Sequence, residues 1–264
     1  MRNGVTGTKN ITTGTFGLYQ QTNYMAIKKT GTRIQITGEK GFIGRRLTKR
    51  LEEEPYNWRG CDLSDGKDCC LRENLEYNRP DIVIHMAAHL FPVNDWDVQA
   101  HRSILEYCQE TKAHLIYTSS AATYQPDSLY GIQKLYGEVL FKELSKLTIL
   151  RLFNVYGGGL GVVEQFIQKR RAGVPAVIYG TGTQTRDFIH VDDVVEAIIY
   201  TVKKRWKGTT DVGTESAITV RQVAGMLGMD YTYKKVDVGI MDSQAEIAKG
   251  FRWRAKKDLQ DYLK

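Results

Sequence analysis

The sequence predicts an α/β fold, a doubly wound parallel sheet carrying a smaller C-terminal lobe. Three observations lead there. Apolar, β-branched runs of strand length alternate with helix-period stretches between residues 32 and 154. A glycine-rich turn stands between the first such run and the first helix. Beyond Asn154 the alternation loosens, as expected of a lobe set over the carboxyl edge of a sheet. Strands that alternate with helices pair in parallel, because each crossover helix carries the chain back to the same edge, and both sheet faces become covered.

Taken in order, residues 1–31 read as a mobile tail: Gly, Thr, Asn and Gln dominate the first 24, neither apolar period is present, and Met25 offers a second start. Arg33-Ile34-Gln35-Ile36-Thr37 predicts a strand, and Ile43, Leu47 and Leu51 give a helix over 43–53. A strand over 58–63, a helix over 71–77 and the β-branched strand 81–85 follow. Next come a helix over 98–110, a strand over 114–118, a helix over 130–145 and a strand over 147–153. Helices over 162–172, 191–203 and 219–227, mixed with short strands, complete the chain without any internal repeat.

A length of 264 residues buries a real core without disulfide staples. The four cysteines, Cys61, Cys69, Cys70 and Cys108, form no C-x-x-C pair and no secreted framework, so they read as reduced thiols of a cytoplasmic protein. No run approaches the roughly 20 apolar residues that span a bilayer, so no membrane is expected. His85, His89 and His101 lack metal-ligand spacing and read as structural or solvent-facing, with no metal site. The formal charge of +7 suits a nucleic acid or a phosphate-rich small ligand equally, or merely scattered solvated lysines.

The turn Thr37-Gly38-Glu39-Lys40-Gly41-Phe42-Ile43-Gly44 is a G-x-x-G-x-x-G sequence between strand and helix. Glycines let such a turn approach a pyrophosphate, whose charge the helix amino terminus favours. The context predicts a Rossmann-type domain over 32–154 that binds NAD or NADP. Residues 155–264 then form mainly the substrate-binding lobe, with 184–212 returning to the Rossmann domain. Asp62, about 20 residues past the turn, suits the cofactor ribose. Asp62-Leu63-Ser64-Asp65 also suits adenine, whereas Arg45, Arg46 and Arg59 suit a 2′-phosphate; NAD is the preferred cofactor.

Thr118-Ser119-Ser120 ends a strand, and Tyr130-Gly131-Ile132-Gln133-Lys134 follows on the next helix, where a spacing of four puts Tyr130 and Lys134 on one face. A phenol is a poor base at neutral pH, but an adjacent ammonium and an oxidised nicotinamide both stabilise its anion. Tyr130 then takes a proton from a substrate hydroxyl as hydride leaves, Ser120 bonds the same oxygen, and Lys134 also holds the nicotinamide ribose.

These pieces resemble the extended short-chain dehydrogenase/reductase family, which includes nucleotide-sugar epimerases, dehydratases and reductases. The resemblance runs from Thr32 to the end, through TGEKGFIG, IVIHMAAH, TSSAATY, YGIQK, RLFNVYGGG and GTGTQTRDFIHVDDVVEAI. It implies cofactor contacts at Gly38, Gly41, Phe42, Ile43, Gly44, Asp62, Leu63, Ala87, Ala88, Ser119, Tyr130, Lys134 and Phe153, and catalysis by Ser120, Tyr130 and Lys134. It also implies substrate contacts at Ser120, Asn154, Arg186 and Lys234: Arg186 as the fork on a nucleotide-sugar diphosphate, Lys234 where relatives carry an arginine. A homodimer through the helices at 98–110 and 130–145 is the matching expectation; Ile104, Leu105, Leu135, Val139 and Leu140 serve that contact or the interior equally well.

The chain departs from the pattern in four places. Only nine residues separate Ser120 from Tyr130, and the stretch from Gly44 to His85 is short for two strands and their connection. Asp97 stands where many relatives carry an asparagine. Ala121 and Ala122 replace the Asp-Glu pair of the family's dehydratases, which disfavours water elimination. An NAD(P)-dependent nucleotide-sugar epimerase is therefore expected, and the SSAATY run is similar to that of epimerases acting on several sugars, heptoses included. The alternatives are an NADPH-dependent keto-sugar reductase and a non-catalytic nucleotide- or RNA-binding relative, with nucleic acid the less expected partner.

Overall fold

The computed structural model describes residues 31–75, 79–89, 95–235 and 242–264. The tail expected at 1–31 lies, but for Gly31, outside them. Five parallel strands come first: β1 (Arg33–Thr37), β2 (Asn57–Cys61), β3 (Ile82–His85), β4 (His114–Ser120) and β5 (Leu147–Leu152), side by side in the order β2-β1-β3-β4-β5. The strand order reverses direction at β1, between β2 and β3, and that is where crevices open at the carboxyl ends of such sheets. The chain then leaves to form β6 (Asn154–Tyr156), β7 (Ala176–Tyr179) and β8 (Thr185–His190), and re-enters the main sheet as β9 (Gly208–Val212), parallel to β5. In the lobe, β8 lies between β6 and the antiparallel β10 (Ala217–Thr219), while β7 pairs with β11 (Tyr231–Lys234).

The period of two sorts side chains to the two faces. Ile34, Ile36, Ile82 and Ile84 meet Leu47 and Leu51 of α1 (Gly44–Leu51) in one buried cluster. Val83, Leu115, Tyr117 and Ile149 meet Ala100, Ile104 and Cys108 of α2 (Asp95–Thr111) and Phe141 of α3 (Leu129–Phe141) in another. Each such side chain contributes about 1.5–3 kcal/mol when fully buried. The first cluster also takes Val194, Val195 and Ile198 from the lobe side of the sequence. These lie on α5 (Val191–Lys204), and the lobe has its own core, built on α4 (Val162–Arg171), α6 (Val220–Met226) and α7 (Leu259–Leu263), around Val163, Phe166, Phe188 and Val223. Of the apolar residues on α2 and α3, Ile104 and Leu105 are buried within this chain, while Val139 is 57% exposed.

The helix expected over 71–77 does not form in its described part. A 3-10 turn at Arg72–Asn74 stands there instead. The backbone bonds three residues back, Asn74 to the Leu71 carbonyl at 3.0 Å and Leu75 to the Arg72 carbonyl at 3.2 Å, and Asp68 pins the entry: its Oδ1 accepts from the Cys70 amide at 2.9 Å and from Trp96 Nε1 at 2.8 Å, and its carbonyl accepts from Asn74 Nδ2 at 2.9 Å. Beyond β1 the sheet therefore holds the single strand β2, which matches the shortness of this segment.

Candidate active site

Among the described residues, the carboxyl edge of the main sheet carries a smaller and a larger cavity. The smaller, about 180 Å³, is lined among others by Gly38, Gly41, Asp62, Leu63, Ala87 and Ala88. Gly38 has φ +76°, and a Cβ there would lie 2.8 Å from the Ala87 amide, so only glycine lets the turn rest on the chain leaving β3. Asp62 follows β2 and holds this rim: its carboxylate accepts from the Ser64 amide and hydroxyl at 2.9 and 2.7 Å and from the Lys40 amide at 3.0 Å. Burial works against that charge, but the bonds from Ser64 and Lys40 outweigh it and hold the carboxyl below its usual range. Phe42 and Ile43 do not line the cavity. The Phe42 ring lies under the Arg46 guanidinium, 4.9 Å away, and Ile43 caps α1 against the core.

Ser120 ends β4, and its Oγ accepts from the Ala122 amide at 3.2 Å, fixing the first turn after the strand. Tyr130 enters on α3, whose N-cap Ser128 accepts from the Gly131 amide at 3.1 Å. Ser120 acts on the Tyr130 phenol and favours its ionised form. One turn on, Lys134 is 5% exposed; its Nζ donates to the Thr118 carbonyl at 2.9 Å and lies 5.9 Å from the Tyr130 ring centre. Burial lowers Lys134 to about 8, with the nearby Asp97 opposing the shift. Burial also raises Tyr130; Ser120 counteracts it and the Asp97 charge adds to it. In the protein without cofactor the phenol therefore keeps its proton at neutral pH.

Behind this pair runs a buried chain of hydrogen bonds. The Ala87 amide meets Thr37 Oγ1 at 3.3 Å, Thr37 meets His85 Nδ1 at 2.7 Å, His85 Nε2 meets His101 Nδ1 at 3.1 Å, and His101 Nε2 meets the Tyr117 hydroxyl at 3.1 Å. Tyr117 gives its one proton to the Lys134 carbonyl at 3.4 Å. Each earlier group must then donate forward, so both imidazoles carry their proton on Nε2. Burial pushes His101 down to about 3 and His85 well below its ordinary value, so both are neutral. At Gly137 a Cβ would lie 2.6 Å from both His101 Nε2 and the Tyr117 hydroxyl, and the missing side chain lets α3 approach this closely.

The larger cavity, about 540 Å³, is lined by Ser120, Tyr124, Phe153, Asn154, Arg186 and Asp211 among others. Asn154 donates to the Asp187 carbonyl at 3.2 Å and to Ser243 at 3.4 Å. Arg186 donates to the Thr185 carbonyl at 2.8 Å, and burial lowers its pKa while Asp242 opposes. Asp187 does not pair with it. Its carboxylate instead accepts from Thr214, from the Glu215 amide and from the Ala245 amide, tying three segments together.

Two assigned residues lie elsewhere. Lys234 ends β11 with its Nζ 5.5 Å from the Tyr179 ring centre and does not line the cavity. Pairing of β11 with β7 carries it away. Ser119 turns its hydroxyl inward, donating to Glu138 at 2.6 Å, so its side chain faces neither cavity. Two features escaped the sequence reading. Glu138 is a buried hub that also accepts both Arg151 Nε and Nη2, at 2.9 and 2.7 Å. Tyr124 donates to the Asp211 carboxylate at 2.8 Å, from 87 positions away. The TSSAATY run brings Tyr124 into view; nothing local announces Asp211.

The sequence pattern of the NAD dependent epimerase/dehydratase family matches residues 34–213. An ADP-L-glycero-D-manno-heptose-6-epimerase of Cupriavidus pinatubonensis is 27% identical over 250 residues, spanning 72% of this chain and 76% of that protein. The solved structure of MoeE5 in complex with UDP-glucose and NAD is similar with a TM-score of 0.75 at 26% identity, covering 88% of this chain and 96% of the other. The complex of Thermus thermophilus UDP-glucose 4-epimerase with NAD gives 0.74 at 22% identity, over 88% and 96%, and shares the fold. With a glycine turn between β1 and α1 and a family match that runs through β9, this chain belongs to the NAD-dependent epimerase/dehydratase family.

Proposed function

We propose that this protein is an NAD-dependent nucleotide-sugar epimerase in which Ser120, Tyr130 and Lys134 carry the proton chemistry. The observation that carries the reading is the position of Ser120: it lines the larger cavity and at the same time acts on the Tyr130 phenol, favouring its ionised form, with Lys134 one helical turn behind. Family membership and the UDP-glucose and NAD named for MoeE5 support it.

A dinucleotide suits the residues present. Gly38 and Gly41 of the glycine turn line the smaller cavity together with Asp62. A carboxylate accepts about four hydrogen bonds. Three on Asp62 are taken within the protein, which leaves one for a ribose hydroxyl. No guanidinium lines this cavity among the described residues, and Arg46 is drawn off to the Phe42 and Gly157 carbonyls and to Asp192, so an NAD ribose is favoured over a 2′-phosphate. When bound, the nicotinamide supplies a reversible hydride acceptor.

Ser120 Oγ and Tyr130 Oη bind the reacting sugar oxygen. Tyr130 Oη takes its proton as the carbonyl forms and returns it when the carbonyl is reduced from the other face, so the cycle needs no net acid or base. The ionised phenol starts the cycle, and because Tyr130 is raised, turnover rises with pH across the neutral range. Lys134 holds positive charge below this oxygen, and Arg186 offers its guanidinium to the substrate diphosphate.

Proton NMR of the full chain with UDP-, GDP-, ADP- and dTDP-sugars, each with oxidised or reduced NAD and NADP, tests the reading. A new epimer without net cofactor change, lost in Tyr130→Phe, is the expected result. Stoichiometric NADPH oxidation with a keto-sugar would replace it by a reductase. Unchanged sugars together with RNA affinity that falls steeply with salt would replace it by a binding module.

A further inference from the structure

Asp97 lies in the first turn of α2 and is 2% exposed. Its Oδ1 accepts the His89 amide at 3.0 Å. Its Oδ2 is buried and makes no hydrogen bond among the described residues; His89 Nδ1, 3.7 Å away, makes none among them either. A carboxylate in this condition is costly unless a counter-charge sits nearby. The buried cation across the α2–α3 contact is Lys134, whose one described hydrogen bond goes to a neutral carbonyl.

The other groups that face Asp97 do not serve as partners. Tyr130 on α3 and Tyr117 on β4 are neutral phenols whose protons its charge helps retain. Cys70, after β2, is a thiol raised to about 12, mainly by burial. His101, one turn along α2, and His85 on β3 are neutral. Asp97 is also the single charged residue found to act on Lys134 among the described residues.

We propose that Asp97 is a positioning residue of the reaction: its buried carboxylate is the fixed counter-charge that keeps Lys134 an ammonium and holds the proton on Tyr130 until substrate binds. This rests on the epimerase reading for its consequence in turnover, but the electrostatic link itself belongs to the protein without ligand. One negative charge thereby sets the protonation of both members of the pair in the same direction. The Asp97→Asn side chain has the same shape, and its amide oxygen still accepts the His89 amide. A role limited to seating His89 would survive the change; a role as counter-charge would not.

The test is direct titration of Lys134 by heteronuclear NMR in full-length protein labelled with 15N on lysine, with Lys134→Arg assigning the signal, beside the pH–rate profile of epimerisation. In Asp97→Asn the Lys134 midpoint is expected to fall by about one unit, and the pH–rate profile to move toward acid by a similar amount. An unchanged midpoint overturns the proposal, and so does a profile that changes in height without moving. A shifted midpoint with no sugar epimerised upholds the charge pairing and sinks the epimerase reading instead. If Asp97→Asn does not fold, Asp97→Asn with Lys134→Met, which removes both charges, is expected to fold again. Failure of the double variant to recover overturns the pairing.

Discussion

The two sides of the Tyr130–Lys134 pair are built differently. On the side of β4, α2 and α3 the polar side chains are bound to one another: Thr37, His85, His101 and Tyr117 in one chain, Ser119, Glu138 and Arg151 in another. On the side of the larger cavity Asp127, Asp211, Asp242 and Glu246 share the lining with Arg186, and the lining comes from segments between elements as much as from strands. In the proposed reaction the reacting groups are thus held with the precision of a core, while the substrate meets a wall of loops. That reading leaves proton chemistry to rigid elements and the choice of sugar to the chain that joins them.

The sharpest break in that contrast is Tyr130→Phe. Loss of one oxygen at the junction of the two sides is expected to lower turnover by about 10²–10⁴-fold. Calorimetry should find the melting temperature within a few degrees of wild type, since no buried charge is stranded. Glu138→Ala attacks the core-like side alone. It strands Arg151, which is held mainly by its bonds to Glu138, and is expected to cost about 3–5 kcal/mol in urea unfolding.

His101 gives the same side a pH signature. Its folded value near 3 lies below the unfolded value near 6.5, so the unfolded chain alone gains a proton between them. Its contribution is complete above pH 6.5 and is lost as pH falls toward 3, with a slope of up to about 1.4 kcal/mol per unit. His101→Gln should be less stable at pH 7.5 yet fall less steeply from 6.5 to 4.5 in thermal denaturation; an equal slope would remove His101 from that account. The smallest effect belongs to the loop side. Tyr124→Phe removes the hydroxyl that donates to Asp211, and nucleotide-sugar affinity by calorimetry should weaken by about 0.5–1.5 kcal/mol.

What the sequence discloses follows the same divide. The turn at 38–44 and the Tyr130–Lys134 spacing are legible because their geometry depends on neighbours a few residues away. The lone strand β2 is legible too, from the shortness of the segment around it. The failed helix over 71–77 is not, since Asp68, which pins the entry to the segment, is itself held by Trp96, a residue 28 positions distant. Ser119 and Lys234 match a pattern by position, but the first is claimed by Glu138 across α3 and the second by the β7–β11 pairing. Tertiary partners decided both. The larger cavity is the least legible part, because Asn154, Arg186, Asp211 and Ser243 meet from four separate stretches.

The bonded chain from Thr37 to Tyr117 begins at an amide that can only give and ends at a carbonyl that can only receive. Such a line has no proton source at one end and no sink at the other, and passing a charge along it would require every rotor and both imidazole tautomers to reverse. It acts as a strut and an insulator: it braces the glycine turn after β1 against α3 while closing the interior to proton leakage. In the proposed reaction the proton that leaves Tyr130 therefore goes to the substrate side and not into the core.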